Sequence, residues 1–203
     1  MEEITPLLEG NIYHIYNRGI NSEDLFKSSE NYSFFLQQYA KYVAPITDTF
    51  CYCLLKNHFH LLVRIKDFSN NQEQLYQLMI EQKWETPPNI SRQFSHFFNS
   101  YAQHINHKNN RTGSLFERPF GRNLIDDEQY FTRAIFYIHT NAQKHGFVND
   151  FRQYPHSSYN SFLSSKPSNL SRDEVFSWFG DKQQFVKFHE QALDSNTFLS
   201  DFD

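Results

Sequence analysis

The residues best suited to chemistry in this chain are two histidines one residue apart, in His58-Phe59-His60. They fall in a run rich in β-formers, where alternate side chains share a face. The two imidazoles therefore project from one side of a strand, about 7 Å apart at the backbone. Phe59, Leu61 and Val63 then point the other way, into core. Two imidazoles on one strand face can share a divalent ion when other elements bring further ligands. The alternative is two polar side chains on a half-exposed strand, in a chain with ten histidines. A second pair is Tyr137 and Asn141, four residues apart and so on one helical face, with Ala134 and Tyr130 continuing the stripe. A phenol with a pKa of about 10 is a poor nucleophile at neutral pH. It becomes useful beside a cation that polarises a phosphate, and an asparagine amide oxygen is a hard ligand for such a cation. Taken singly, Tyr137 reads better as one of twelve tyrosines packed as core.

The elements that must position these groups are legible in the hydrophobic pattern. Asn11 to Gly19 alternates and ends on a turn glycine, which predicts a strand. From Ser29 to Ala44, Tyr32, Phe35, Leu36, Tyr39 and Val43 recur at helical spacing, and Pro45 closes the helix. Thr49 to Leu55 predicts a second strand, and Lys56-Asn57 a tight connection into a third, His58 to Ile65. A helix near 71–82 follows. Pro87 and Pro88 make 84–89 a loop. Phe94, Phe97, Phe98, Tyr101 and Ile105 place a helix over 90–108. Arg111-Thr112-Gly113 is a turn, and 115–125 reads as extended structure broken at Pro119. Asp126 with Gln129 three residues on predicts the start of a helix over 127–145, ended by Gly146. This order predicts an α+β fold: a ferredoxin-like antiparallel sheet with helices on one face, plus an extra helix that carries Tyr137 and covers or borders the sheet. Residues 1–148 form that unit. Residues 149–203 form a Ser-rich, acidic C-terminal extension with one helix at 181–192.

The chain has 203 residues, 39% hydrophobic and 18% aromatic, enough to bury a core. No run of eighteen apolar residues exists, which argues against a membrane span. The acidic N-terminus lacks the pattern of a signal peptide, so a cytoplasmic location is expected. Cys51 and Cys53 are read as pointing to opposite strand faces, hence unbridged. The net charge of −4 is awkward for a nucleic-acid protein, but its distribution is uneven. Residues 86–147 hold seven Lys/Arg against four Asp/Glu, while both flanking regions are acidic. Lys108, Arg111, Arg118 and Arg122 gather around the turn after the long aromatic helix and are candidate phosphate contacts, with Arg18 as a further one.

Four separated motifs, taken together, carry a resemblance. Tyr13-His14-Ile15-Tyr16-Asn17-Arg18-Gly19 and Lys56-Asn57-His58-Phe59-His60-Leu61-Leu62-Val63 come first. Arg111-Thr112-Gly113-Ser114-Leu115-Phe116-Glu117-Arg118 and Tyr137-Ile138-His139-Thr140-Asn141 follow. In order and spacing the set resembles the REP-associated tyrosine transposases, relatives of the insertion-sequence 200 type within the HUH single-tyrosine nucleases. The resemblance spans roughly residues 11–148. It implies a ferredoxin-like fold, with His58 and His60 as paired metal ligands, Asn141 completing the protein ligands and Tyr137 as nucleophile. It further implies a divalent ion, Mg²⁺ or Mn²⁺, and a single-stranded or hairpin DNA partner cleaved through a 5′-phosphotyrosine. The family commonly has proline after the Asn141 position and this chain has Ala142, which bears on where the helix ends. The protein could act as a monomer or homodimer, with the tyrosine helix serving its own site or a partner's. Two other functions stay open: a DNA-binding protein that no longer cleaves, and a metal-dependent phosphodiesterase that uses water.

Overall fold

In the computed structural model, which describes residues 5–195, the hairpin that carries the two histidines lies in the middle of a four-stranded sheet. Strand β2 (Thr47–Leu54) turns through Leu55-Lys56-Asn57 into β3 (His58–Ile65), and the Leu55 N–H closes the turn on the His58 carbonyl. Strand β1 (Ile12–Arg18) pairs antiparallel with β3, Arg18 facing His58 and Ile12 facing Arg64. Strand β4 (Gly121–Ile125) pairs with the other side of β1. The order β2-β3-β1-β4, with every neighbour antiparallel, is that of the ferredoxin-like split βαβ arrangement. The expected α+β fold is the observed one.

Helix α1 (Ser29–Tyr42) crosses from β1 to β2, and α2 (Gln72–Gln82) with α3 (Ile90–Lys108) crosses from β3 to β4. Local chemistry sets their starts. Ser28 and Asn31 form a reciprocal capping pair at α1, and the Asn89 side chain accepts from the Arg92 N–H at α3. Helix α4 (Glu128–Lys144) is capped by Asp127, not by Asp126. Asp127 has the extended backbone (φ −139°, ψ 158°) that swings its carboxylate under the Tyr130 N–H, whereas Asp126 lies one residue too early. Gly146 ends α4 with a positive φ of 71°, as its position predicts.

The sheet has a core on each face. Tyr13, Ile15, Phe59, Leu61 and Val63 meet α1 and α3 on one side. Leu62, Cys51 and Cys53 meet α4 on the other, so the tyrosine helix covers the face opposite α1 and α3. The cysteines therefore share a face and do not oppose each other, since residues two apart on a strand point the same way. Both thiols are free, because the spacing of about 7 Å along a strand exceeds what a disulfide spans. Burial pushes the Cys53 thiol up to about 12, so it packs as an apolar group.

The C-terminal segment holds more than the one expected helix. Short helices α5 (Tyr159–Leu163) and α6 (Arg172–Phe179) precede α7 (Lys182–Ser195). Elements of five and eight residues contain too few turns for a periodic signal to stand out. Phe151, Tyr159, Phe162, Val175 and Phe185 build the core around α4, which is buried on all sides from Ala134 to Ala142. The same segment covers the outer edge of β2 through backbone bonds from Leu54 to His156, Ser158 to Tyr52 and Ser171 to Thr49. No helix among the described residues is long and apolar enough to cross a membrane.

Candidate active site

Strand alternation puts His14 and Tyr16 of β1 and His58 and His60 of β3 on the face that α4 covers, while their neighbours Tyr13, Ile15 and Phe59 go to the opposite core. Tyr137 reaches the same place from α4. Its ring meets the His60 ring edge to face at 5.4 Å and the His14 ring at 5.9 Å. Asn141, one turn on and fully buried, brings its Oδ1 to 3.1 Å from His58 Nε2. His58 and His60 lie 5.2 Å apart between ring centres. Tyr137, His58 and His60 line one cavity of about 700 Å³ together with Asn17, Phe120 and His145. The four residues singled out by spacing are thus brought together, from one strand and one helix.

The imidazoles are held neutral. Burial lowers His14 to about 3 and His58 to about 4, the latter opposed by the Asn141 contact. His60 lies well below the usual range, first through burial and then through the like charges that His14 and His58 would carry. Neutral rings each keep one lone pair, the state a cation requires. Two features of the donor set suit a divalent ion. The buried His60 Nε2 has no hydrogen-bond partner, although a buried polar atom normally finds one. His58 Nε2 and Asn141 Oδ1 are separated by 3.1 Å, close to the spacing of adjacent ligand atoms held at about 2.1 Å from an octahedral ion.

No family model matches this chain. A Haemophilus influenzae protein provisionally named a REP-associated tyrosine transposase is 27% identical over 112 residues, which are 55% of this chain and 58% of that protein. The chain therefore spans less than two thirds of that relative's length. A solved structure of a REP-associated tyrosine transposase bound to a REP hairpin superimposes with a TM-score of 0.60. That alignment is 11% identical and covers 82% of this chain and 88% of the other. The chain resembles REP-associated tyrosine transposases in sequence and in fold. The structural likeness concerns the fold, and the sequence match adds a resemblance in sequence over 112 residues.

Seen beside a transposase-like fold, the five basic candidates do not form one cluster. Arg18 lies at the cavity rim, paired with Glu117 at 3.0 Å and largely exposed. Lys108 is paired with Glu30 across the α1–α3 surface. Arg111 directs its guanidinium to the Glu23 carboxylate, Asn106 Oδ1 and the Ser114 carbonyl, so it ties two loops together. Arg122 holds its guanidinium carbon over the Phe120 ring, 3.7 Å from the ring centre. Arg118 is exposed and lines a neighbouring groove.

Sequence reasoning left out several groups that stand at this site. His14 stacks on His60 and joins it by a 2.9 Å bond between ring nitrogens; alternation along β1 could have signalled it. Lys144 holds its ammonium 5.0 Å from the Tyr137 ring centre, and His145 packs edge to face on His58 at 4.9 Å. Both stand about two turns beyond Tyr137, a helical spacing that could have pointed to them.

Proposed function

We propose that this chain cleaves and rejoins single-stranded or hairpin DNA, with Tyr137 as the nucleophile. The observation that supports it most is the meeting of Tyr137 with His58 and His60 at one cavity, with Asn141 buried against His58, from a strand and a helix far apart in sequence. In this reading the Tyr137 oxygen attacks the scissile phosphorus. The Tyr O–P bond forms, the P–O3′ bond breaks, the phenolic proton leaves to solvent and the 3′ oxygen takes up a proton. The product is a 5′-phosphotyrosine with a free 3′-hydroxyl, which can later attack the adduct and restore a phosphodiester. His58, His60 and Asn141 would hold a divalent ion, Mg²⁺ or Mn²⁺, whose contribution is to neutralise charge on the phosphate oxygens. Lys144 adds fixed positive charge beside the tyrosine ring.

A second groove, of about 680 Å³, joins the first through Asn17, Glu117, Pro119 and Phe120. Asn99, Gln103 and Asn106 of α3 face it at helical spacing. Amide side chains can pair with base edges and Phe120 can stack, so this groove suits the strand leading from the scissile phosphate.

The test is incubation with labelled single-stranded hairpin DNA and Mn²⁺, followed by denaturing electrophoresis. A covalent adduct is expected with the unaltered chain and none with Tyr137→Phe. His58→Ala should abolish metal-dependent cleavage and keep part of the DNA binding. An adduct formed by Tyr137→Phe removes the assignment. Cleavage with no adduct selects the water-using phosphodiesterase. A second reading, a DNA-binding protein that does not cleave, is favoured by the burial of Tyr137 at 2% exposure. Hairpin binding with neither cleavage nor adduct would select it.

A further inference from the structure

A neutral imidazole carries a single ring proton, and the partner of one nitrogen decides which nitrogen holds it. His58 meets an amide oxygen at both: Nδ1 lies 2.8 Å from Asn57 Oδ1, and Nε2 lies 3.1 Å from Asn141 Oδ1. One proton cannot serve both contacts. Placed on Nδ1, it donates along the shorter one, and the Nε2 lone pair then faces the Asn141 oxygen with no proton between them. Such a pair repels until a cation enters. His60, the next residue on the same strand face, has the same logic. Its Nδ1 lies 2.9 Å from His14 Nε2, and its Nε2 is buried without a partner. Placed on His60 Nδ1, the shared proton leaves the Nε2 lone pair as the ring's open ligand.

We propose that Asn57 and His14 are positioning residues, which hold His58 and His60 as their Nδ1–H tautomers so that both Nε2 lone pairs stand ready for a divalent cation with Asn141 Oδ1. Neither residue touches the ion. Each acts through the ring it orients, as outer partners of metal-bound histidines commonly do. Asn57 is suited by place as well as chemistry, because its own carbonyl accepts the Gly19 N–H and ties the β2–β3 turn to the end of β1. His14 is suited by burial, at 1% exposure between the sheet and α4. The inference rests on the strand-transfer reading for the use of the site; its geometry does not.

Long-range ¹H–¹⁵N spectra of the metal-free full chain report the tautomers, and titration with Mn²⁺ alone reports affinity. The Nδ1–H form is expected for both His58 and His60. Asn57→Ala should move His58 toward the Nε2–H form and weaken Mn²⁺ binding by about 10- to 100-fold. Asn57→Asp keeps an acceptor and should restore both the tautomer and the affinity. An Nε2–H form of either histidine in the unaltered chain overturns the proposal, as does absent Mn²⁺ binding or an unchanged affinity in Asn57→Ala. The adduct assay run in parallel keeps the two readings apart. No adduct, with tautomers and Mn²⁺ binding as expected, sinks strand transfer and leaves the positioning roles standing. An adduct with the opposite tautomers sinks the positioning roles alone.

Discussion

Single side chains in this protein divide into those that face the cavity and those that hold its walls, and charge alone does not tell them apart. Arg111 and Arg118 are seven residues apart and both cationic. Arg111 has a side chain only 15% exposed, and its donors are committed to Glu23, Asn106 and Ser114. Removing it strands those acceptors, so Arg111→Ala should cost about 1–3 kcal/mol of stability, read from urea unfolding, and leave the salt dependence of DNA affinity unchanged. Arg118 is exposed beside the α3 groove. Arg118→Ala should instead leave stability within about 0.5 kcal/mol and reduce the slope of log affinity against log salt by about 1. The reverse pattern would exchange their roles.

At the scale of elements, α4 decides where the tyrosine stands. Its position is held from both ends and from behind. Asp127 satisfies a first-turn N–H, and Asp127→Ala should cost about 1 kcal/mol by thermal or denaturant unfolding; an unchanged midpoint would mean that packing alone places the helix start. Behind the helix runs a directed chain of hydrogen bonds. The His189 Nδ1–H donates to the Phe185 carbonyl, so its Nε2 accepts from the His139 Nδ1–H, and the His139 Nε2 accepts from Ser158. Ser158 in turn accepts from the Tyr52 N–H of β2. His139 is two residues from Tyr137 on the far side of the helix, so this chain opposes rotation of α4 about its axis.

The whole molecule carries its buried histidines, with the half-buried His58, on the α4 side of the sheet, and that sets its response to acid. His14 is lowered to about 3, His58 and His189 to about 4, and His60 and His139 well below the usual range, all first by burial. The unfolded chain holds these groups near 6.5, so below that pH it binds more protons than the folded chain. Stability is therefore complete above about pH 6.5 and falls as pH drops from there toward 4. Denaturant midpoints measured across that window should decline steeply; a flat profile would contradict the buried neutral rings. The C-terminal segment shares the core of α4. A chain ending at residue 148 loses Phe151, Tyr159, Phe162, Val175 and Phe185 from the α4 core. It should lack a cooperative thermal transition by circular dichroism, whereas a sharp transition would make the segment an independent addition.

Much of this was written in local pattern. The boundaries of β3 and α3 follow from alternation and from 3.6-residue spacing, because those periods are set by the backbone of each element alone. The same periods place His58 with His60, and Tyr137 with Asn141. What they could not contain is a relation between elements. That α4 lies on the face opposite α1 and α3, that the C-terminal helices wrap it, and that Cys51 and Cys53 look into that core depend on which side of the sheet each connection takes. His14 against His60, Asn57 against His58 and Lys144 beside Tyr137 are likewise meetings made by packing. Residue types and short spacings therefore determined the candidate chemistry and the elements that bear it. Only tertiary packing decided which histidines are neutral, which arginines are committed and what surrounds the tyrosine, because burial and proximity belong to the assembled chain.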